Sequence, residues 1–174
     1  MKVSNPFALK PAQEAVAGSI VFMNWRRMER TFALVVTPYG IGRRTSLLLL
    51  SPPHPGLGVP AVFDTENLGG APVGVLTSAI AVIRPDSNNI TLSEQYGDPP
   101  LGSLVVSKDG RLKVPGEVQG RVGWFDLETG ECSDPEVSRS WFPKWEIQVP
   151  DVDGRHETVC TIDAAAFQRR DPNE

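Results

Sequence analysis

The sequence predicts an all-β fold, an antiparallel barrel or sandwich, and three observations carry that expectation. Short runs rich in β-branched and aromatic residues recur along the chain, as half-buried strands require. Sixteen glycines and sixteen prolines cut those runs into pieces too short for helices. Helical candidates are confined to a single turn after Pro11 and a short segment near the C-terminus. A chain of 174 residues with 40% hydrophobic and 22% charged residues suits one globular domain. That composition excludes a collagen-like repeat, a coiled coil and a wholly disordered chain.

Residues 1–17 read as an N-terminal arm with one helical turn after Pro11, a residue tolerated where a helix begins. One all-β domain follows over 18–174. Its first strands are expected at 19–25 and 31–37, and a third at 45–51, whose uninterrupted leucines fit a strand buried on both faces. Segments 60–65 and 73–83 continue the pattern. Between the third strand and 60–65, the stretch 51–60 holds four prolines and reads as a stiff loop carrying His54. The Gly97-Asp98-Pro99-Pro100 stretch marks a subdomain break near 97–100.

Beyond it, Asp109-Gly110 between two apolar runs predicts a hairpin with a two-residue type I′ turn. A second hairpin is expected over 122–132, turned by Gly130. Strict alternation over 144–149 places Trp145, Ile147 and Val149 on one face and Lys144, Glu146 and Gln148 on the other. A last strand at 158–162 leads to Asp163, a cap for a short C-terminal helix over 164–170.

Charge is uneven. The net charge of −4 divides into +5 over residues 1–60 and −9 over the rest. Arg26, Arg27, Arg30, Arg43 and Arg44 are the candidate residues for binding phosphate or an acidic partner. Trp141, Phe142 and Trp145 put three rings into five residues, a density used both in cores and at protein interfaces, and they are the candidate interface.

Cys132, Cys160, His54 and His156 lack paired metal-ligand spacing, so no metal site and no cofactor are expected. Asp151-Val152-Asp153-Gly154 has the flavour of a calcium loop but lacks its third acidic position. His156 and Cys160 lie about 13 Å apart on one strand, too far for a dyad. Nucleophile-elbow and phosphate-loop motifs are missing from the sequence. Neither a secretory leader nor an apolar run of about 20 residues is present, which predicts a chain cytoplasmic at synthesis and no membrane partner.

Residues 18–92 nevertheless resemble the MazF/PemK toxin family, metal-independent endoribonucleases built on an SH3-like barrel. The pieces that carry the resemblance are Gly18-Ser19-Ile20-Val21-Phe22, Arg30-Thr31-Phe32-Ala33-Leu34-Val35-Val36, Leu48-Leu49-Leu50-Ser51-Pro52 and Gly74-Val75-Leu76. The resemblance implies an SH3-like barrel in the N-terminal half, RNA as substrate, and Arg30 and Ser51 as catalytic residues. Thr31 stands where the family has proline, Ser51 where it has threonine, and the family's Ser-Glu-Gln-Gly-Gly loop has no counterpart.

Three functional expectations result. The leading one is a non-catalytic binding or assembly module that self-associates or binds protein partners, for instance as a structural component of a phage virion. The second is the metal-independent endoribonuclease. The third is a nucleic-acid-binding module without catalysis, using the arginines.

Overall fold

The computed structural model describes residues 7–24, 30–38, 44–51, 60–68, 70–83, 91–92, 98–136, 140–151 and 153–167. The fold is all-β and sandwich-like, built from antiparallel sheets, as the sequence predicts. The first sheet contains β1 (Phe7–Pro11), β2 (Ile20–Asn24), β3 (Arg30–Val36), β4 (Ser46–Ser51), β5 (Val62–Asp64) and β6 (Pro72–Leu76), in the spatial order β1-β6-β2-β3-β4-β5. A three-stranded sheet joins β7 (Ile80–Val82) to β14 (Lys144–Pro150) and β15 (His156–Asp163), with β14 central. The second large sheet, called the second sheet below, orders β12 (Cys132–Ser133), β11 (Arg121–Asp126), β10 (Leu112–Val118), β9 (Leu104–Val106), β13 (Ser140–Phe142) and β8 (Thr91–Leu92).

The first sheet is open, so the SH3-like barrel expected for the N-terminal half does not form. Closure would require β5 to meet β1. Instead, β5 turns its far side toward β10: the Glu117 N–H donates to the Pro60 carbonyl at 2.8 Å, and Ala61 bridges Glu117. The sheet's other edge, β1, comes from the N-terminal segment. The first 17 residues are therefore not a free arm over their described part. Phe7 to Pro11 pair with Leu76 to Pro72, and Ala12 and Ala15 are buried against the sheet's outer face.

Leu47, Leu48, Leu49 and Leu50 are all buried because β4 is covered on both faces. Leu48 and Leu50 point into the main core with Phe32, Leu34, Leu104, Val114, Phe125, Trp145 and Ile162. Leu47 and Leu49 join Val21, Ala33, Val35 and Val73 in an outer cluster. That cluster is closed by the 3₁₀ turns Ala12–Glu14 and Thr65–Leu68. Burying each such side chain contributes about 1.5–3 kcal/mol. The main core draws on both sides of residues 97–100, and β7 pairs with β14 across that point, so one core ties the two halves together.

The hairpin at Asp109-Gly110 forms, but with a different turn. Ser107 N–H bonds to the Arg111 carbonyl at 3.0 Å, Gly110 N–H to the Ser107 carbonyl at 3.0 Å, and only Gly110 has positive φ. This is a three-residue loop with a glycine bulge. The Asp109 carboxylate accepts from the Ser107 hydroxyl and the Arg111 N–H, which braces the loop and lowers the Asp109 pKa, the serine bond contributing most. The two-residue turn of type I′ occurs instead at Gln119-Gly120, where both φ values are positive. It joins β10 to β11 in the longest pairing of the second sheet. Gly130 turns the β11–β12 hairpin as expected; a side chain there would meet the Val35 carbonyl at 2.4 Å. At the C-terminus, the Asp163 carboxylate accepts the Ala165 N–H at 3.0 Å, so the cap is present. The segment it starts is a 3₁₀ turn, Ala164–Phe167, rather than an α-helix.

Candidate functional site

The first sheet's register assembles a row of residues that the sequence scatters between positions 9 and 74. Leu9 pairs with Gly74, Gly74 with Phe22, Phe22 with Phe32, and Phe32 with Ser51. Gly74 is required here, because a Cβ would lie 2.4 Å from the Phe22 ring. Into the space it leaves, Phe22 packs edge-on to Phe7, with ring centroids 4.9 Å apart, and tilted to Phe32 at 6.2 Å. Arg30, exposed at the start of β3, stacks its guanidinium over Phe22 at 4.9 Å. Such a contact contributes about 0.5–1 kcal/mol at an exposed site and leaves the guanidinium's donors available.

Ser51 lies at the same sheet end but is engaged elsewhere. β4 packs on β15 there, and the Ser51 side chain hydrogen-bonds the Cys160 thiol. Burial pushes that thiol up to about 11, and the serine bond opposes the shift. Arg30 and Ser51 thus share an end of two neighbouring strands, with Phe32 between them in the register.

Arg30 and Arg44 do not form one patch. Arg44 precedes β4 and Arg30 opens β3; because the strands are antiparallel and Ser46 pairs with Val36, the two arginines stand at opposite ends of the pair. Six strand residues separate those ends by roughly 20 Å. Arg44 is occupied by Glu66 at 2.7 Å, in an exposed pair. Arg26, Arg27, Arg43 and His54 lie outside the described residues.

Trp141 and Trp145 are buried at 3% and 1% exposure, which corrects their reading as an interface. The chain changes sheets between β13 and β14, at Pro143, so the dense aromatics serve different interiors. Trp141 packs with Val105 and Trp124 on the outer face of the second sheet. Trp145 fills the main core and donates its indole N–H to the Gly102 carbonyl at 2.9 Å. Phe142, half-buried, packs against the same core.

Two further features escaped sequence reasoning. One is a cleft of about 250 Å³ where the sheets meet, lined by Ser19, Ile20, Leu76, Ser78, Ile80 and Trp145 among others. It depends on long-range packing and has no local signature. The other is Glu146, expected on a polar face yet buried, whose Oε2 accepts from Thr158 at 2.7 Å and from Gln148 at 3.1 Å. The strict alternation of 144–149 located it, but not its burial. His156 is exposed at the start of β15. Asp151 spends Oδ1 on the Asp153 and Arg155 N–H groups, each at 2.8 Å, as a turn residue. Among the described residues no group of three metal-ligating side chains comes together, and no helix is long and apolar enough to cross a membrane. Comparison with protein-family models, with curated proteins and with solved structures yields no match.

Proposed function

We propose that this chain is a non-catalytic all-β binding and assembly module, whose concrete form is a structural component of a larger particle such as a virion. The observation that supports this reading is the edge of the first sheet. β1 is five residues long, four of them are exposed, and Leu9 leaves 69% of its surface in water. Soluble proteins blunt their sheet edges by shortness, charge or bulges. β1 carries Lys10 and Pro11 at one end, and the other edges follow the rule further: β5 and β7 have three residues, β8 and β12 two, and β15 carries a register shift opposite β14 with His156 and Glu157 at its start. The test is sedimentation of the purified full chain over a range of concentration and salt. Salt- and concentration-dependent association is expected. A strictly monomeric chain without a partner at high concentration overturns the reading.

The second reading, action on RNA, is favoured by one arrangement: Arg30 over the Phe7–Phe22–Phe32 stack, at the sheet end that also carries Ser51. Aromatic faces and arginine suit unpaired bases and phosphates. In this reading the purified chain cuts single-stranded RNA without metal and Arg30→Ala abolishes cutting. Binding without cutting, weakened steeply by salt, indicates the non-catalytic form. An RNA panel neither cut nor bound removes both.

A further inference from the structure

The hydrogen-bond phase of β1 can be worked out from its prolines. Pro11 pairs with Pro72, and neither residue has an N–H, so this cannot be a hydrogen-bonded pair. In an antiparallel ladder bonded and non-bonded pairs alternate. Lys10–Val73 and Ala8–Val75 are therefore the bonded pairs, and the N–H and C=O groups of Phe7 and Leu9 point away from β6, together with the Pro11 carbonyl. Among the described residues nothing pairs with that side of β1, which ends the sheet.

We propose that β1 pairs antiparallel with β1 of a second copy of this chain, about a two-fold axis at Leu9, making one continuous sheet across the dimer. This rests on the assembly reading and names its partner. The strand is self-complementary in that register. Each Leu9 N–H donates to the other Leu9 carbonyl, and each Phe7 N–H meets the second lone pair of the other Pro11 carbonyl, whose first takes the opening bond of the 3₁₀ turn Ala12–Glu14, so the missing proline N–H costs only the return bonds. The two Leu9 side chains, the most exposed large hydrophobic groups in the described structure, meet on one face of the sheet. On the other face each Lys10 lies opposite an Ala8, so like charges are not paired directly. The symmetry is closed and isologous, which yields a dimer rather than a filament.

The phase makes the test selective. Leu9→Pro removes an outward N–H and leaves the bonds to β6 intact, at an edge position where proline is tolerated. Dissociation of the dimer, measured by sedimentation, should become on the order of thirtyfold easier for the two lost bonds, with the melting temperature kept near that of the wild type. Lys10→Pro removes a bond to β6 instead and should lower the melting temperature. Should Leu9→Pro fail to fold, Leu9→Lys places like charges at the axis and should dissociate the dimer equally. Chains carrying Ala8→Cys, mixed with chains carrying Lys10→Cys, should form a disulfide dimer, since Cα atoms in such non-bonded pairs lie about 4.5 Å apart. Neither variant alone, nor the wild type with its own Cys132 and Cys160, should do so. A dimer untouched by Leu9→Pro and Leu9→Lys, and without the mixed disulfide, overturns the edge pairing while sparing the assembly reading. A chain that stays monomeric but captures a defined partner also overturns it, and a partnerless monomer overturns both.

Discussion

The outer faces of the two large sheets are both buried, yet they are built from opposite chemistry. On the first sheet, Val21, Met23, Ala33, Val35, Leu47, Leu49 and Val73 form an aliphatic layer under Ala12, Ala15 and Leu68. On the second, the cluster among the described residues is Val105, Trp124 and Trp141, and beside it Lys113 and Asp126 stand opposite each other in the β10–β11 register, buried at 8% and 4% exposure. The first arrangement needs no partner bonds. The second has polar groups that must each be satisfied, and so fixes which residues stand opposite which.

The comparison breaks most readily at its largest side chains. Trp124→Ala should destabilise the fold by about 3–5 kcal/mol, because its ring is one of the two that supply most of the apolar cover of its face. Leu47→Ala, on the aliphatic side, should cost about 2–4 kcal/mol, since small neighbours such as Ala33 and Val35 can close part of the void. Denaturant unfolding of both variants measures the difference. A Leu47→Ala loss larger than that of Trp124→Ala would mean that the aliphatic layer is the more rigid of the two.

This contrast also decides how much of the fold can be read from the sequence. Where both faces are aliphatic, the strand is an unbroken apolar run, and residues 46–51 announce themselves as a strand buried twice over. Where the outer face carries Lys113 and Asp126, the same alternation that marks β10 and β11 looks like a strand with one wet side. Trp141 was open to assignment at the surface for that reason: nothing local says that its face is covered. β1 lay hidden because its pairing partner, β6, is some 60 residues away, and exposed Ala8, Lys10 and Pro11 carry little strand propensity. The site followed the same logic. Arg30 and Ser51 could be named one by one, but the Phe7–Phe22–Phe32 stack exists only through the register of four strands, β1, β6, β2 and β3, and through Gly74.

Between the two outer faces, the main core offers a titrating probe. Burial raises the Cys160 thiol from 9.0 to about 11. Below pH 9 the thiol is protonated in both folded and unfolded chains. From pH 9 toward 11 the unfolded chain releases its proton while the native chain retains it, so stability falls with rising pH across that window. The loss amounts to about 2 kcal/mol by pH 11. Comparing wild type with Cys160→Ala isolates it: the difference in unfolding free energy should shrink or reverse over that window, and a pH-independent difference would place the thiol in a wetter setting. At pH 8, Cys132, which is less buried, should react with a thiol reagent before Cys160 does.

The smallest effect concerns Lys113, and it sharpens the comparison most finely. Its ammonium contacts Glu136 at 2.5 Å and Ser133 at 3.2 Å, with 10% of the lysine side chain exposed against 35% for the glutamate. Removing one member of a fully buried pair costs about 3–5 kcal/mol, but Glu136 retains enough water to be rehydrated, so Lys113→Ala should cost about 1–2 kcal/mol. Much of that loss belongs to the aliphatic stem, which covers apolar surface beside Val105. Lys113→Met keeps the stem and discards the charge. It should lie within about 1 kcal/mol of the wild type, because a pair whose desolvation nearly offsets its attraction loses little when its buried cation becomes a hydrophobic group of similar shape. Equal losses for Met and Ala would show instead that the charge itself holds the outer face of the second sheet, and the two faces would then differ in what stabilises them as well as in composition.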